Sequence, residues 1–243
     1  METGASYQDL ARRYGFAPKP ESASRLTQLV ARQDSDVDEI VKVIDKDPAL
    51  RTRLLRVANP EAENEAEYAV ETVEDALMRN GVGCALVLAM GTPLALALVK
   101  TFQTMLSLKL ESIDRNLAEP LDGEHLLGTI GFSGKVVGSV YLRLNRNSAR
   151  SIAATILGID PGELHDLNEI RDVIGELLNI MTGNFKSNLC DAGLDCRLQP
   201  PEVKVSTDLR TPVVRGGGLE HMAFRSGPIQ LFVDVTANPW NDD

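Results

Sequence analysis

A long stretch without a single charged side chain, residues 81–99, most constrains how this chain of 243 residues can fold. Its sequence, GVGCALVLAMGTPLALALV, is close to the length of a membrane-spanning helix. Pro93 interrupts it, and a proline inside a helix removes a hydrogen bond and clashes with the preceding turn. The pattern therefore predicts two buried helical pieces that meet near residues 91–93, rather than a membrane span.

Charge and cysteine content narrow the function classes. The chain has 25 Lys and Arg against 35 Asp and Glu, a formal net charge of −10. Binding to nucleic acid or to anionic lipid needs positive charge, so we expect neither partner. The three cysteines cannot form a disulfide framework, and residues 1–16 lack the apolar segment of a secretory signal. We therefore expect a cytoplasmic protein.

The N-terminal part of the chain has the periodicity of amphipathic helices. Residues 23–32 and 37–46 place apolar side chains on one side of a helix. Pro48 suits the first position of a third helix, and Thr72 begins a fourth whose first turn is acidic. We predict an all-helical part over residues 1–93.

Residues 94–243 mix helices with strands. Ser133 and Gly134 form a turn signal between two runs of strand-forming residues, which predicts a β-hairpin. The predicted elements are a helix at 94–116, strands at 125–132 and 135–144, helices at 148–157 and 166–192, and strands at 202–206, 213–224 and 229–235. The order predicts an α+β fold in which the helical part precedes a domain with an antiparallel sheet and two or three helices.

Signals for metal or nucleotide chemistry are weak. The three histidines are scattered and lack the spacing of metal ligands. His165 and Asp166 spell a pair that holds metal in one class of phosphohydrolases, but that class needs further histidines on helices, and Asp166 suits a helix N-cap better. The glycines at 216–218 precede no helix and predict a turn. We expect no metal ion and no cofactor of the chain's own.

The predicted helix at 166–192 holds the candidate site. At about 100° per residue, one narrow stripe lies opposite the apolar face of this helix. The stripe consists of Asp172, Glu176, Asn179 and Gly183. Gly183 costs about 1 kcal/mol of helix propensity relative to alanine, and it leaves a notch beside Asn179 that another surface could approach. From spacing alone, an ordinary solvated face is the simpler interpretation.

The segment GELLNIMTGNFKSNLCDAGLDCRLQPPEV, residues 175–203, resembles the CheC, CheX and FliY class of response-regulator phosphatases, most closely CheX. The class has an Asp or Ser, then an ExxN motif, then a downstream proline. The matching positions are Asp172, Glu176, Asn179 and Pro200 or Pro201, with the proline slightly closer than in the family. The resemblance covers about residues 95–238, and the shorter helix before the site helix carries no ExxN.

The resemblance implies a function. The substrate would be the phosphoaspartate of a CheY-like receiver, which carries its own Mg²⁺. Asn179 would orient the attacking water, Glu176 would hold a lysine of the receiver, and Asp172 and Gly183 would belong to the docking surface. Domains of this type often pair through sheet edges, so we expect a homodimer with the strand at 229–235 as a candidate edge.

Residues 47–60 (DPALRTRLLRVANP) and 70–82 (VETVEDALMRNGV) resemble a second family, the HDOD domain. This family is a helical bundle without metal ligands, and only its first part, about residues 18–93, has a counterpart here. The resemblance implies a sensing or protein-interaction role. It leaves open an alternative function, a non-catalytic signalling adaptor that binds partners through both parts. An HD-type phosphohydrolase is disfavoured by the scarcity of histidines.

Overall fold

The described part of the chain forms seven α-helices and seven β-strands. The computed structural model describes residues 20–30, 32, 36–59, 69–113, 118–121, 123–134, 136–191, 194–212 and 218–239. The helices are α1 (Pro20–Val30), α2 (Val37–Asp45), α3 (Pro48–Ala58), α4 (Val73–Asn80), α5 (Val82–Leu106), α6 (Arg146–Leu157) and α7 (Leu167–Asp191). The strands are β1 (Glu111–Ile113), β2 (His125–Gly134), β3 (Val136–Asn145), β4 (Cys196–Leu198), β5 (Glu202–Ser206), β6 (Gly218–Ser226) and β7 (Ile229–Pro239).

The N-terminal helices begin where side-chain caps predict. Asp36, Asp47 and Thr72 accept hydrogen bonds from backbone N–H groups in the first turns of α2, α3 and α4. Pro48 occupies the first turn of α3, as predicted. The helical character of this part is therefore confirmed over residues 20–30, 37–45, 48–58 and 73–80, whereas residues 1–19, 31, 33–35 and 60–68 lie outside the described part.

The uncharged stretch forms one continuous helix, α5, with Pro93 inside it. The predicted break near residues 91–93 is therefore wrong, and so is the predicted helical extension to residue 116, because α5 ends at Leu106. Pro93 costs about 3 kcal/mol or more in a helix interior, but the apolar side chains along α5 are almost all buried, and their burial outweighs that cost. The predicted domain boundary near residue 93 falls within this helix.

Helix α5 is long and apolar enough to cross a membrane, judged by length and composition alone. The most apolar window of the helix has a mean hydropathy of 2.2, and 94% of that window is buried inside the protein. The helix lies in a single hydrophobic core that extends from α1 to β7. It is therefore packed as a core helix in this structure.

One antiparallel sheet organises the rest of the described chain. Its strand order is β1-β6-β7-β3-β2-β4, and β5 also pairs with β2. The predicted hairpin is confirmed as β2 and β3, and the predicted strand at 202–206 is β5. Of the predicted strand at 213–224, residues 213–217 lie outside the described part, and Gly218 belongs to β6 rather than to a turn. The α+β fold class is confirmed.

Strand β7 lies inside the sheet, paired with β3 on one side and with β6 on the other. The prediction that residues 229–235 form an edge strand is therefore wrong. The physical reason is burial on both faces, since residues 229–237 are all buried, which is typical of an interior strand. The homodimer stays a prediction, without this edge to support it.

Candidate functional site

Helix α7 carries the candidate site, and it begins at a side-chain cap. The Asp166 carboxylate accepts a hydrogen bond of 2.8 Å from the backbone N–H of Asn168. The Asp166 carbonyl accepts the first helical bond, from Ile170, at 3.1 Å. The predicted cap is thus confirmed. The predicted helix end at Gly193 lies outside the described residues, and α7 is described as far as Asp191.

The apolar face of α7 holds the helix against the sheet. The apolar face that the helical spacing predicts consists of Ile170, Ile174, Leu177, Leu178, Met181 and Phe185, and all of them are buried. Phe185 meets Phe132 of β2 edge to face, with ring centroids 5.8 Å apart. Gly128 lets the helix approach closely, since a Cβ at that position would lie 2.9 Å from Leu178 Cδ2. The opposite face of α7 must therefore point away from the core.

The predicted stripe lies on that outer face. Asp172, Glu176 and Asn179 are exposed, and Gly183 is half-buried. Within the described residues, the three polar side chains have no hydrogen-bond or ion-pair partner. Glu176 and Asn179 are one helical turn apart, about 4.5 Å along the axis. Their side chains are consequently available to an external partner.

Other polar side chains of α7 are engaged within the protein. Arg171 donates from Nε and from Nη2 to the carbonyl of Val203 in β5, at 3.0 and 2.7 Å. Asn184 donates to the Thr101 hydroxyl at 3.0 Å, and Asn188 donates to the Pro93 carbonyl at 3.1 Å. Sequence reasoning missed these three residues, because no local pattern shows that an arginine or asparagine will bond to an element far away in the chain.

A groove of about 510 Å³ runs between the first half of α7 and β5. The helix contributes Asn168, Arg171, Asp172, Gly175 and Glu176, and the opposite wall is Pro201, Glu202 and Val203. The structure thus brings together Asp172, Glu176 and the proline of the predicted motif. Asn179 and Gly183 are not among the lining residues and lie further along α7.

The groove is acidic. Asp172 and Glu176 line it from α7, and Glu202, which sequence reasoning missed, adds a third carboxylate from β5. The Arg171 guanidinium donates to the Val203 carbonyl, and Lys204 Nζ lies 3.9 Å from a carboxylate oxygen of Glu202, whereas Asp172 and Glu176 have no ion-pair partner among the described residues. A cationic group on a partner would therefore be attracted to this groove.

The notch at Gly183 is open, as predicted, since an added Cβ would meet nothing within 4 Å. We expect Gly183→Ala to raise the free energy of unfolding by about 1 kcal/mol, because alanine has the higher helix propensity. Urea unfolding followed by circular dichroism measures the change. A lower stability in Gly183→Ala would contradict the open notch.

Metal binding finds no support in the described residues, in which no three His, Cys, Asp or Glu side chains are grouped as a metal site would require. His165 is exposed beside the N-cap, and the Asp166 carboxylate accepts a hydrogen bond from the backbone N–H of Asn168 at the N-terminus of α7.

Two family models match separate parts of the chain. The model of the chemotaxis phosphatase CheX matches residues 126–219, which contain the whole stripe and both walls of the groove. By this match, residues 126–219 are similar to CheX, and we call them the CheX-like domain. The model of the HDOD domain matches residues 17–113, which include α1 to α5. The CheX-like domain therefore follows an HDOD-like helical segment.

Solved structures agree with the CheX-like domain. The chemotaxis protein CheX from Vibrio vulnificus is 26% identical, with a TM-score of 0.52, over 61% of this chain and 96% of that chain. A CheC-like superfamily protein from Shewanella sp. PV-4 has the same fold at 23% identity, with a TM-score of 0.51 and coverage of 61% and 97%. Residues 126–243 make up only about half of the chain, whereas the structural matches cover 61% of it. The structural similarity therefore begins before residue 126, within the part that the HDOD model also matches. No curated protein matches the sequence.

Proposed function

We propose that this protein removes the phosphoryl group from the phosphoaspartate of a CheY-like receiver, in cytoplasmic signalling of the chemotaxis type. One observation carries the proposal. Glu176 and Asn179 are exposed together on the outer face of α7, without a hydrogen-bond or ion-pair partner among the described residues, in the segment that the CheX model matches.

The proposed chemistry needs little from the protein beyond positioning. The Asn179 amide orients a water in line with the acyl phosphate, and the receiver supplies Mg²⁺ to neutralise the developing charge. Phosphoryl transfer is catalysed chiefly by alignment and charge neutralisation, so an amide and a carboxylate are sufficient groups. This chain needs no cofactor of its own.

In the proposed complex, the acidic groove fixes the register of docking. Glu176 pairs with a lysine beside the phosphoaspartate of the receiver, and Asp172 extends the negative surface by one turn. The open notch at Gly183 allows the backbone of the receiver to approach α7. The net charge of −10 favours a partner with a positive rim.

We expect Glu176→Gln to weaken docking to the receiver by about tenfold, which is about 1.4 kcal/mol of binding free energy. The substitution keeps the shape of the side chain and removes the charge that would pair with lysine. Titration of a receiver held in its phosphorylated form by beryllofluoride and Mg²⁺ measures the affinity. Glu74→Gln, an exposed site on α4, makes the same change of charge and should bind like the wild type. Equal affinity of Glu176→Gln and wild type would contradict the role.

The test of the function compares two rates. A phosphorylated CheY-like receiver with Mg²⁺ loses phosphate at its own rate, and the proposal expects faster loss when this protein is added. The HDOD-like match favours a second candidate, an adaptor that binds receivers without hydrolysing them. Unchanged phosphate loss together with measurable binding would support the adaptor and contradict the phosphatase.

A further inference from the structure

Helix α5 belongs to both parts of the protein. The HDOD match includes the whole helix, and helices α1, α3 and α4 pack against it. The same helix packs against α7, β6 and β7 of the CheX-like part. The site helix therefore rests directly on a helix that the N-terminal segment also holds.

Arg53 of α3 links the N-terminal segment to both α5 and the sheet. Arg53 Nη1 donates to the carbonyl of Leu88 in α5 at 3.0 Å, and Nη2 forms an ion pair with Glu220 of β6. Glu220 is only 7% exposed, and its carboxylate occupies the space that a Cβ at Gly91 would fill. Burial lowers the pKa of Arg53 to about 10, so the guanidinium stays charged at neutral pH. Helix α3, helix α5 and the sheet meet at this ion pair.

The site helix, α7, also bonds to α5, at residues that follow Leu88 in the chain. Asn188 donates to the carbonyl of Pro93, and Asn184 donates to Thr101 two turns later. Pro93 has no N–H, so the helical hydrogen bond to the carbonyl of Ala89 is missing. The missing bond lies between Leu88 and Pro93, the residues of α5 to which Arg53 and Asn188 bond. The N-terminal segment and α7 therefore both bond to the short stretch of α5 from Leu88 to Pro93, so a displacement of that stretch would displace α7 as well.

We infer that the HDOD-like segment positions the site helix through α5, with Arg53, Asn184 and Asn188 as positioning residues. The inference rests on the proposed function, because the position of α7 sets where the Asn179 amide holds the water. A displacement of 1 Å in a catalytic group can lower a rate by about 100-fold. The N-terminal segment thereby controls the rate of hydrolysis more than the affinity for the receiver. The receiver docks in the groove that α7 and β5 of this protein form, and that groove does not include Asn179.

Two variants test the inference. Asn188→Leu removes the bond to Pro93 and keeps much of the side-chain volume. The double variant Arg53→Met and Glu220→Met removes both charges of the ion pair together, a replacement that is often neutral or stabilising. For each, we expect the dephosphorylation rate at saturating receiver to fall about tenfold while KM changes less than twofold.

Matched controls separate positioning from stability. Arg51→Met lies on the same helix α3, where Arg51 pairs with Asp45 at the surface. Ser187→Ala lies next to Asn188, and its hydroxyl bonds only within α7. Both controls should keep the wild-type rate. Wild-type rates in Asn188→Leu and in the double variant would overturn the inference.

Hydrogen exchange of the α7 amides gives a readout that does not depend on activity. We expect faster exchange over residues 176–188 in the double variant, although its substitutions lie on α3 and β6. A wild-type protein that fails to accelerate phosphate loss would contradict the proposed function alone. Unchanged α7 exchange in the double variant would contradict the positioning by the N-terminal segment alone.

Discussion

Replacing Asn179 with alanine is expected to lower the acceleration of receiver dephosphorylation by about 100-fold, because the attacking water loses the group that aligns it. The side chain is exposed and, within the described residues, bonded to nothing, so its removal should leave the fold intact. The receiver should still dock, since the acidic groove does not include Asn179. The rate of phosphate loss and the affinity for a beryllofluoride-bound receiver measure the two effects separately.

Two further variants sharpen this prediction. Asn179→Asp keeps the shape but places a negative charge beside the phosphoryl group, and we expect it to be as inactive as Asn179→Ala. Asn147→Ala makes the same substitution at an exposed position of α6, the helix without an ExxN motif, and should keep the wild-type rate. An Asn179→Ala protein as fast as the wild type would show that the amide has no part in hydrolysis.

The outer face of α7 could be predicted from the sequence because it depends on local periodicity. The apolar residues at helical spacing define one side of the helix, and Asp172, Glu176 and Asn179 then fall on the other. The bonds that orient the helix could not be predicted in this way. Asn188 reaches Pro93 from almost a hundred positions away in the chain, and only the folded backbone brings the two together.

The errors in the fold have the same origin. Local rules place a break at Pro93 and predict an edge at residues 229–235, yet α5 passes through Pro93 and β7 lies in the middle of the sheet. In both places burial decides the outcome. The described side chains of α5 on either side of Pro93 are buried in the core, and neighbours on both edges take up the backbone groups of β7.

The second large effect concerns stability. Asp234 of β7 is fully buried and forms an ion pair with Arg143 of β3, which is 2% exposed. Thr211 also bonds to Asp234, and His221 Nδ1 lies 2.6 Å from it. We expect Asp234→Asn to lower the free energy of unfolding by about 3–5 kcal/mol, because it leaves the Arg143 charge buried without its counter-ion. Urea unfolding at pH 7 measures the loss.

A surface pair provides the matched control. Asp208 bonds to Arg210 through both carboxylate oxygens, and these bonds lower the pKa of Asp208 to about 2. The side chains of Asp208 and Arg210 are both exposed, so solvent screens their interaction. Asp208→Asn should therefore unfold at nearly the wild-type urea concentration. Equal losses in Asp208→Asn and Asp234→Asn would contradict the importance of burial.

The ionisation of Asp234 should also make the free energy of unfolding depend on pH. Burial raises the pKa of Asp234, but the bond and charge of His221, the bond from Thr211 and the charge of Arg143 outweigh it, so the pKa lies below its usual value. A carboxyl whose pKa is lower in the folded state stabilises the fold above the unfolded pKa of about 3.9. This contribution is lost as the pH falls from about 4 towards the folded pKa. The wild type should therefore lose stability below pH 4 more steeply than Asp234→Asn, and parallel curves would contradict the assignment.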